Sequence, residues 1–446
     1  MAPNHLLRNL LTESGWTGQK LANHTNDVGA EAGLRLRYDR TSIAHWLSGA
    51  RPRPPVPELV AEAFTRCLGR RITTADAGLT PATAVAPPPS WRADIVTELR
   101  KLCRDGAAHR RTISGCVYSL AALSLPGWGD LATAGVTARP ADHGGRLERA
   151  DVDAAQTMLE LFSAADLTFG GGYVRPALAR YLQTTIAPWL RLDAAPAVRT
   201  DALITAAQLS YLCGFLCFDD ELHGVAQRYY LIAARLSHDA GDALHYAISL
   251  RALSVQARML GHRTQAVDLA TTAARALPVH APPLTRAFLT GQVAAAEAAA
   301  AEQHHAVTHL RAAEAYLERA CDTTPPVGTY HPAALSHHHA AVHACLGDRG
   351  AAVSALTQSL RHRPEAERRA RAITLARLAE LHLDAGELDR ACDAWSKFLD
   401  EYPYLRSQRA ETALATLRSC LRPHTAYAPA RSVTHKAAEL YRARAA

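Results

Sequence analysis

The chain has 446 residues, 48% of them hydrophobic and 20% charged, with a formal charge of +7. That length can bury a core without disulfide or metal staples, and the ordinary apolar share excludes wholesale disorder. About a fifth of the residues are alanine and only 6% are aromatic, a composition that argues against an all-β fold and for an all-α one. Of the 49 basic residues only Lys20, Lys101, Lys397 and Lys436 are lysines, and the other 45 are arginines. Arginine suits phosphate and guanine because its planar fork bonds bidentately. Codon bias in a GC-rich genome yields the same ratio, so the placement of the arginines has to decide. Met1–Leu11 lacks the apolar run of a secretory signal, and no charge-free stretch long enough to span a bilayer is read. The nine cysteines form no CxxC pair and fit scattered thiols in a reduced, cytoplasmic compartment.

In chain order, the first helix covers Leu6–Leu11 and a second starts at Thr17. Asp39 or Thr41 caps a third helix that runs to about Ser48, with Gly49 as its stop and Pro52 beyond it. Pro57 opens a fourth, Glu58–Leu68. Residues 80–90, TPATAVAPPPS, read as a semi-rigid linker. Residues 91–200 form a helical middle region. In it Ile95, Leu99 and Leu102 share a face, further helices cover Asp151–Phe162 and Pro176–Leu190, and Gly170–Gly172 is a flexible turn.

Residues 201–405 repeat. Ala226, Ala266, Ala306, Ala352 and Ala391 recur at intervals of 39 to 46 residues. Three of them follow the same turn, at Gly261, Gly347 and Gly386, while Glu221 and Ala301 stand in the glycine's place. Each alanine marks where two helices touch closely. Units finish at Gly241, Pro278, Pro364 and Pro403, and residues 406–446 cap the array. The pattern resembles tetratricopeptide repeats and implies an α-solenoid. An ordinary helical bundle rich in alanine is the alternative.

Residues 40–49 carry the sharpest signal. Ile43, Trp46 and Leu47 point inward, which leaves Arg40, Thr41, Ser42 and His45 for an outer face near the helix N-terminus. Free N–H groups and the dipole at that end suit phosphate. Residues 35–53 hold Arg35, Arg37, Arg40, Arg51 and Arg53 against Asp39 alone, a local charge of +4. Here the chain resembles the helix-turn-helix of the xenobiotic-response-element regulators, the lambda-repressor-like fold. Gln19-Lys-Leu-Ala22 is similar to the family's first motif helix, and Ile43–Gly49 with Pro52 to its recognition helix. The resemblance covers residues 5–79 and sets the domain at 1–79. Asn23–Tyr38 exceeds the family's tight turn, either as a bulging loop or as a longer helix with an arm. A plain four-helix domain around a buried Trp46 is the alternative.

The layout, with Phe169-Gly-Gly-Gly-Tyr-Val-Arg175 and Ala226-Gln-Arg-Tyr-Tyr230, is similar to large regulators of high-GC bacteria. The resemblance implies a non-enzymatic, homodimeric, sequence-specific regulator of development or secondary metabolism. Its partners would be double-stranded DNA and a peptide, protein or small effector at the repeats. The DNA-binding set is Gln19, Arg35, Arg37, Arg40, Thr41, Ser42, His45, Arg51 and Arg53. The competing readings are a tetratricopeptide scaffold that binds no DNA and an enzyme with a helical catalytic domain.

No cofactor or metal is expected. The pairs His305/His309 and His339/His343, with His337, His338 and Cys345 nearby, read as solvent-facing histidines beside a groove rather than as zinc ligands. Asp219, Asp220, Glu221 and His223 read as a solvated edge, and Cys213 and Cys217 as core.

Overall fold

Capping residues set the ends of the first four helices. In this computed structural model, which describes residues 3–80, 94–107, 116–125, 128–129, 145–320 and 330–445, Asn4 opens α1 (His5–Ser14). Asn4 Oδ1 accepts from Leu7 N at 3.0 Å, while its Nδ2 donates to Ala77 O at 3.0 Å and its backbone N–H to Leu47 O at 2.9 Å. Thr17 caps α2 (Gly18–Glu31), Asp39 caps α3 (Arg40–Leu47), and Pro57 sits in the first turn of α4 (Val56–Leu68). Leu7, Leu21, Ile43, Trp46, Val60 and Phe64 meet at the centre of this domain. The linker at 80–90 lies outside the described residues except for Thr80.

The middle region holds α5 (Ile95–Ala107), α6 (Arg149–Phe169) and α7 (Gly171–Tyr181), which continues through a π turn at 182–186 to Trp189. Ile95, Leu99 and Leu102 are buried, as their spacing predicts. The triple glycine is a packed joint rather than a flexible turn. A Cβ on Gly171 would stand 2.7 Å from Leu216 O, and Gly172 N–H donates to Arg406 O at 2.8 Å, so only bare backbone fits there. Pro176 lies inside α7 rather than opening a helix.

Five helix pairs follow, stacked in a solenoid-like arrangement. They are α8 (Pro196–Asp219) with α9 (His223–Asp239), α10 (Ala243–Met259) with α11 (Arg263–Ala276), and α12 (Pro283–Ala299) with α13 (Gln303–Glu318). The last two are α14 (Pro332–Cys345) with α15 (Arg349–His362), and α16 (Arg368–Asp384) with α17 (Leu388–Glu401). The first pair begins at Pro196, ahead of residue 201. α18 (Gln408–Leu421) and α19 (Ala428–Ala445) cover the final pair. All five marker alanines are 0% exposed, so each is a close helix contact. The turn position that is glycine in three units is left-handed in all five, with φ of 55° at Glu221 and 66° at Ala301. A left-handed alanine is strained, and Ala301→Gly should raise the urea unfolding midpoint by the equivalent of about 0.5–1 kcal/mol.

By length and composition α8 could cross a membrane, contrary to the expectation that no such stretch is present, because residues 202–218 carry no charge. Here 72% of its most apolar window is buried by neighbouring helices, with Cys213 and Cys217 fully enclosed.

Asp219 and Asp220 are not a solvated edge. Asp219 is 0% exposed, and Arg175 Nε donates to Asp220 Oδ2 at 2.8 Å. Arg369 on α16 reaches Asp166 on α6 at 3.0 Å and lies 3.8 Å from Asp219. Gly171 N–H donates to Asp219 Oδ2 at 3.0 Å, and Thr412 on α18 donates to Glu221 at 2.9 Å. These contacts join the end of the array to its beginning.

Candidate nucleic-acid interface

The segment between α2 and α3 explains the layout of the charged surface. α2 runs on to Glu31, and the strap from 32 to 39 then alternates. Leu34, Leu36 and Tyr38 turn inward while Arg35 and Arg37 are exposed. Leu34 and Leu36 pack on Val28, Leu59 and Ala63, and Leu36 approaches so closely that a Cβ on Gly29 would stand 2.5 Å from its Cδ1. Asn26 fixes the end of the strap, giving Nδ2 to Tyr38 O and taking Tyr38 N–H at Oδ1, each at 2.9 Å. Of the two readings of residues 23–38, the longer helix with an arm is the observed one.

α3 itself is held from beneath by Ile43 and Trp46, with Tyr38 edge-on to Trp46 at 5.1 Å. Arg40, Thr41 and His45 are exposed, and Ser42 is half-buried. After α3, residues 48–55 carry Arg51 and Arg53 between Pro52, Pro54 and Pro55, whose rings restrict φ. Every predicted site residue therefore lies on α3, on the strap before it, on the turn after it or, for Gln19, at the start of α2. None of the five arginines from 35 to 53 has an ion-pair partner within 4.0 Å among the described residues. In contrast Arg66 pairs with Glu31 at 2.7 Å and Glu62 at 3.0 Å, and Arg70 with Glu13 at 2.7 Å.

The expectation that the α3 N-terminus offers free donors to phosphate is not met. Gln19 Oε1 accepts from Arg40 N at 3.2 Å, and Asp39 Oδ1 accepts from Ser42 N and Ser42 Oγ, each at 2.9 Å. Those bonds from Ser42 hold the Asp39 carboxyl below its ordinary range, so a negative charge already occupies that end. Gln19 and Ser42 are thus positioning groups for α3, and Arg40, Thr41 and His45 are its outward-facing side chains. The capping residue Asp39 was legible, but its effect on the anion site was missed.

Sequence reasoning also missed how this domain meets the repeats. Segment 116–120 lies between them. Leu120 N–H donates to Glu62 at 2.9 Å, Arg66 to Tyr118 O at 3.2 Å, and Gln227 on α9 exchanges two bonds with the Ser119 backbone at 2.7 and 2.9 Å. Tyr118 stacks on His262, which stands 3.9 Å from Glu31. Burial disfavours the Glu31 anion, yet His262 and Arg66 outweigh it and hold the carboxyl below its usual value. Gly224 lets the segment in, since a Cβ there would lie 2.0 Å from Cys116 O. Gly224→Ala should therefore displace the segment, and the Ser119 and Leu120 amides should exchange hydrogen at least about tenfold faster.

His305 and Cys345 are exposed, as expected, whereas the other histidines of these groups are less exposed than their spacing suggests. His338 is buried and bonded to the Tyr330 hydroxyl at 3.0 Å, His339 pairs with Glu314 at 3.0 Å, and His309 with Glu297 at 2.7 Å. Glu297, Glu302 and His305 place one ligand-type atom each within 4.8 Å of the others, a grouping that pairing histidine with histidine overlooks.

No curated protein matches the chain. Residues 7–80 match the family model described as the SP15 N-terminal domain, a match that runs from within α1 through α4 and the turn after it and leaves the repeats outside.

Proposed function

We propose that the chain is a DNA-binding transcriptional regulator. Its N-terminal domain would lay the outer face of α3 in the major groove, with Arg40, Thr41 and His45 against base edges. Arg35 and Arg37 on the strap and Arg51 and Arg53 on the following turn would neutralise phosphates on either side. The observation that carries this reading is the gathering of five exposed arginines, without ion pairs among the described residues, around one short helix. Of the domain's other arginines, Arg66 and Arg70 pair with carboxylates, while Arg8 and Arg71 are exposed elsewhere without an ion pair among the described residues. Codon bias explains the number of arginines but not this gathering around one helix. The resemblance to xenobiotic-response-element regulators over residues 5–79 points the same way.

The repeats, similar to tetratricopeptide units, would pair two chains so that two such helices meet half-sites about one helical turn apart. The 116–120 segment would carry a change in the repeats to the N-terminal domain, shifting a population of domain placements. No reaction is assigned. The test is recovery of DNA bound to the full chain across the genome, followed by a salt titration on the strongest fragment. A recurrent paired motif whose affinity falls with salt supports the proposal. Capture without a motif, or binding that ignores salt, replaces it with an interaction scaffold.

A further inference from the structure

Inside the array two chambers meet. The larger, about 590 Å³, lies between the α8–α9 turn, the end of α10, α14, α16 and α18. The smaller, about 250 Å³, lies beside Phe215, Arg251 and Phe288. His337, Ile373 and Arg409 line both. The larger chamber falls in the size range of sites for small organic ligands.

The charges around these chambers are unevenly matched. Arg363 pairs with Glu367, Arg369 with Asp166 and Arg377 with Glu380. Arg258 and Arg409 have no hydrogen bond or ion pair among the described residues, although both line the larger chamber. Arg409 instead lies over the Phe218 ring at 5.3 Å. The Arg258 Nε and the His223 Nδ1 are buried without a partner. Of the two carboxylates in that chamber, Glu221 accepts from Thr412 and Glu380 from Arg377. Burial lowers the proton affinity of both arginines, and at His337 burial first, then the charges of Arg363, Arg409 and Arg258, lower it too. Arg258, Arg409 and His337 all line the larger chamber. The opposite wall is apolar, with Ala340, Ala341, Ala344, Leu356 and Ala376.

Both arginines are half-buried without a hydrogen bond or ion pair among the described residues, and only the more distant negative charges of Asp219 and Glu221 bear on Arg409. Holding two such cations together costs stability, and a bound anion offsets that cost. We infer that the interior of the array is a binding site for a small amphipathic anion. Its phosphate or carboxylate head would lie between Arg258 and Arg409, and its apolar body along the alanine face of α14 and α16. The inference stands on the cavity and is independent of DNA binding.

Calorimetric titration of the full chain with octyl phosphate, octanoate and octan-1-ol tests it. The two anions are expected to bind once per chain and to compete, with the tighter one naming the head group, and the alcohol at least about tenfold more weakly. Arg258→Gln with Arg409→Gln should weaken both anions by at least about tenfold without lowering the unfolding temperature of the free protein. A merely structural pair of arginines would lower it. Ala341→Phe, which fills the chamber and keeps the charges, should also abolish binding, and it decides the matter if the double variant does not fold. Equal binding of the alcohol, unchanged affinity in either variant, or no heat from either anion at millimolar concentration overturns the site.

Discussion

On the proposed DNA-binding function, replacing Arg35, Arg37, Arg51 and Arg53 together with glutamine should lower the affinity for duplex DNA of any sequence and flatten its dependence on salt. Each phosphate contact contributes about 0.9 to the slope of log K against log salt, so four contacts remove about three to four from it. Between 50 and 200 mM salt, that slope alone is worth about a hundredfold in affinity. Arg40→Gln should act differently. On α3 it faces outward beside Thr41 and His45, so as a base contact its loss should cost about 1–3 kcal/mol on the preferred site and much less on random duplex. Folding should be spared in both variants, because all five side chains are exposed and none is in an ion pair among the described residues. Mobility shifts at several salt concentrations, on the preferred fragment and on a scrambled duplex, measure both effects. An unchanged slope in the fourfold variant rules out phosphate contacts by the strap and the turn.

What the sequence made legible was local. Asp39 announced the start of α3, the five alanines announced the helix contacts, and Glu221 and Ala301 were recognisable as replacements for a turn glycine before their left-handed backbone was seen. The alternation of Leu34, Arg35, Leu36, Arg37 and Tyr38 was equally readable, since period two puts apolar groups on one side of an extended chain. A tight-turn template for residues 23–38 hides that alternation, because it allows no extended segment there. Other features lie beyond any local pattern. Asp219 looks like a surface acid at a turn until Arg369, 150 positions further on, arrives to neutralise it. The triple glycine looks like slack chain until the Arg406 carbonyl is found against it. Where a carboxylate or a glycine gains its meaning from a distant segment, pattern and spacing give no signal, and tertiary closure decides.

Arg369→Met should be the most destabilising single substitution in the repeats, at about 3–5 kcal/mol, and its effect should grow with pH. Arg369 is buried, lies over the Phe215 ring at 4.5 Å and holds Asp166 at 3.0 Å. Without it, Asp166 and Asp219 remain enclosed with their nearest cation gone. Asp166 already has a carboxyl pKa raised to about 7, because burial outweighs the attraction of Arg369 and because Asp219 lies close. A folded-state pKa above the unfolded value means that the native protein holds a proton that the unfolded chain has lost between about pH 4 and 7. The stability from that proton is therefore complete below about pH 4, falls as pH rises, and is spent above about pH 7. Removing Arg369 raises the Asp166 pKa further, which extends the decline to higher pH. Asp166→Asn provides the control, since an amide cannot ionise, and wild-type stability relative to this variant should fall between pH 5 and 8. Urea unfolding followed by circular dichroism at each pH measures both. If the Arg369→Met deficit is the same at pH 5 and pH 8, Asp166 does not carry the proton assigned to it. The closure of the array would then rest on the backbone contacts of Gly171 and Gly172 rather than on this buried pair.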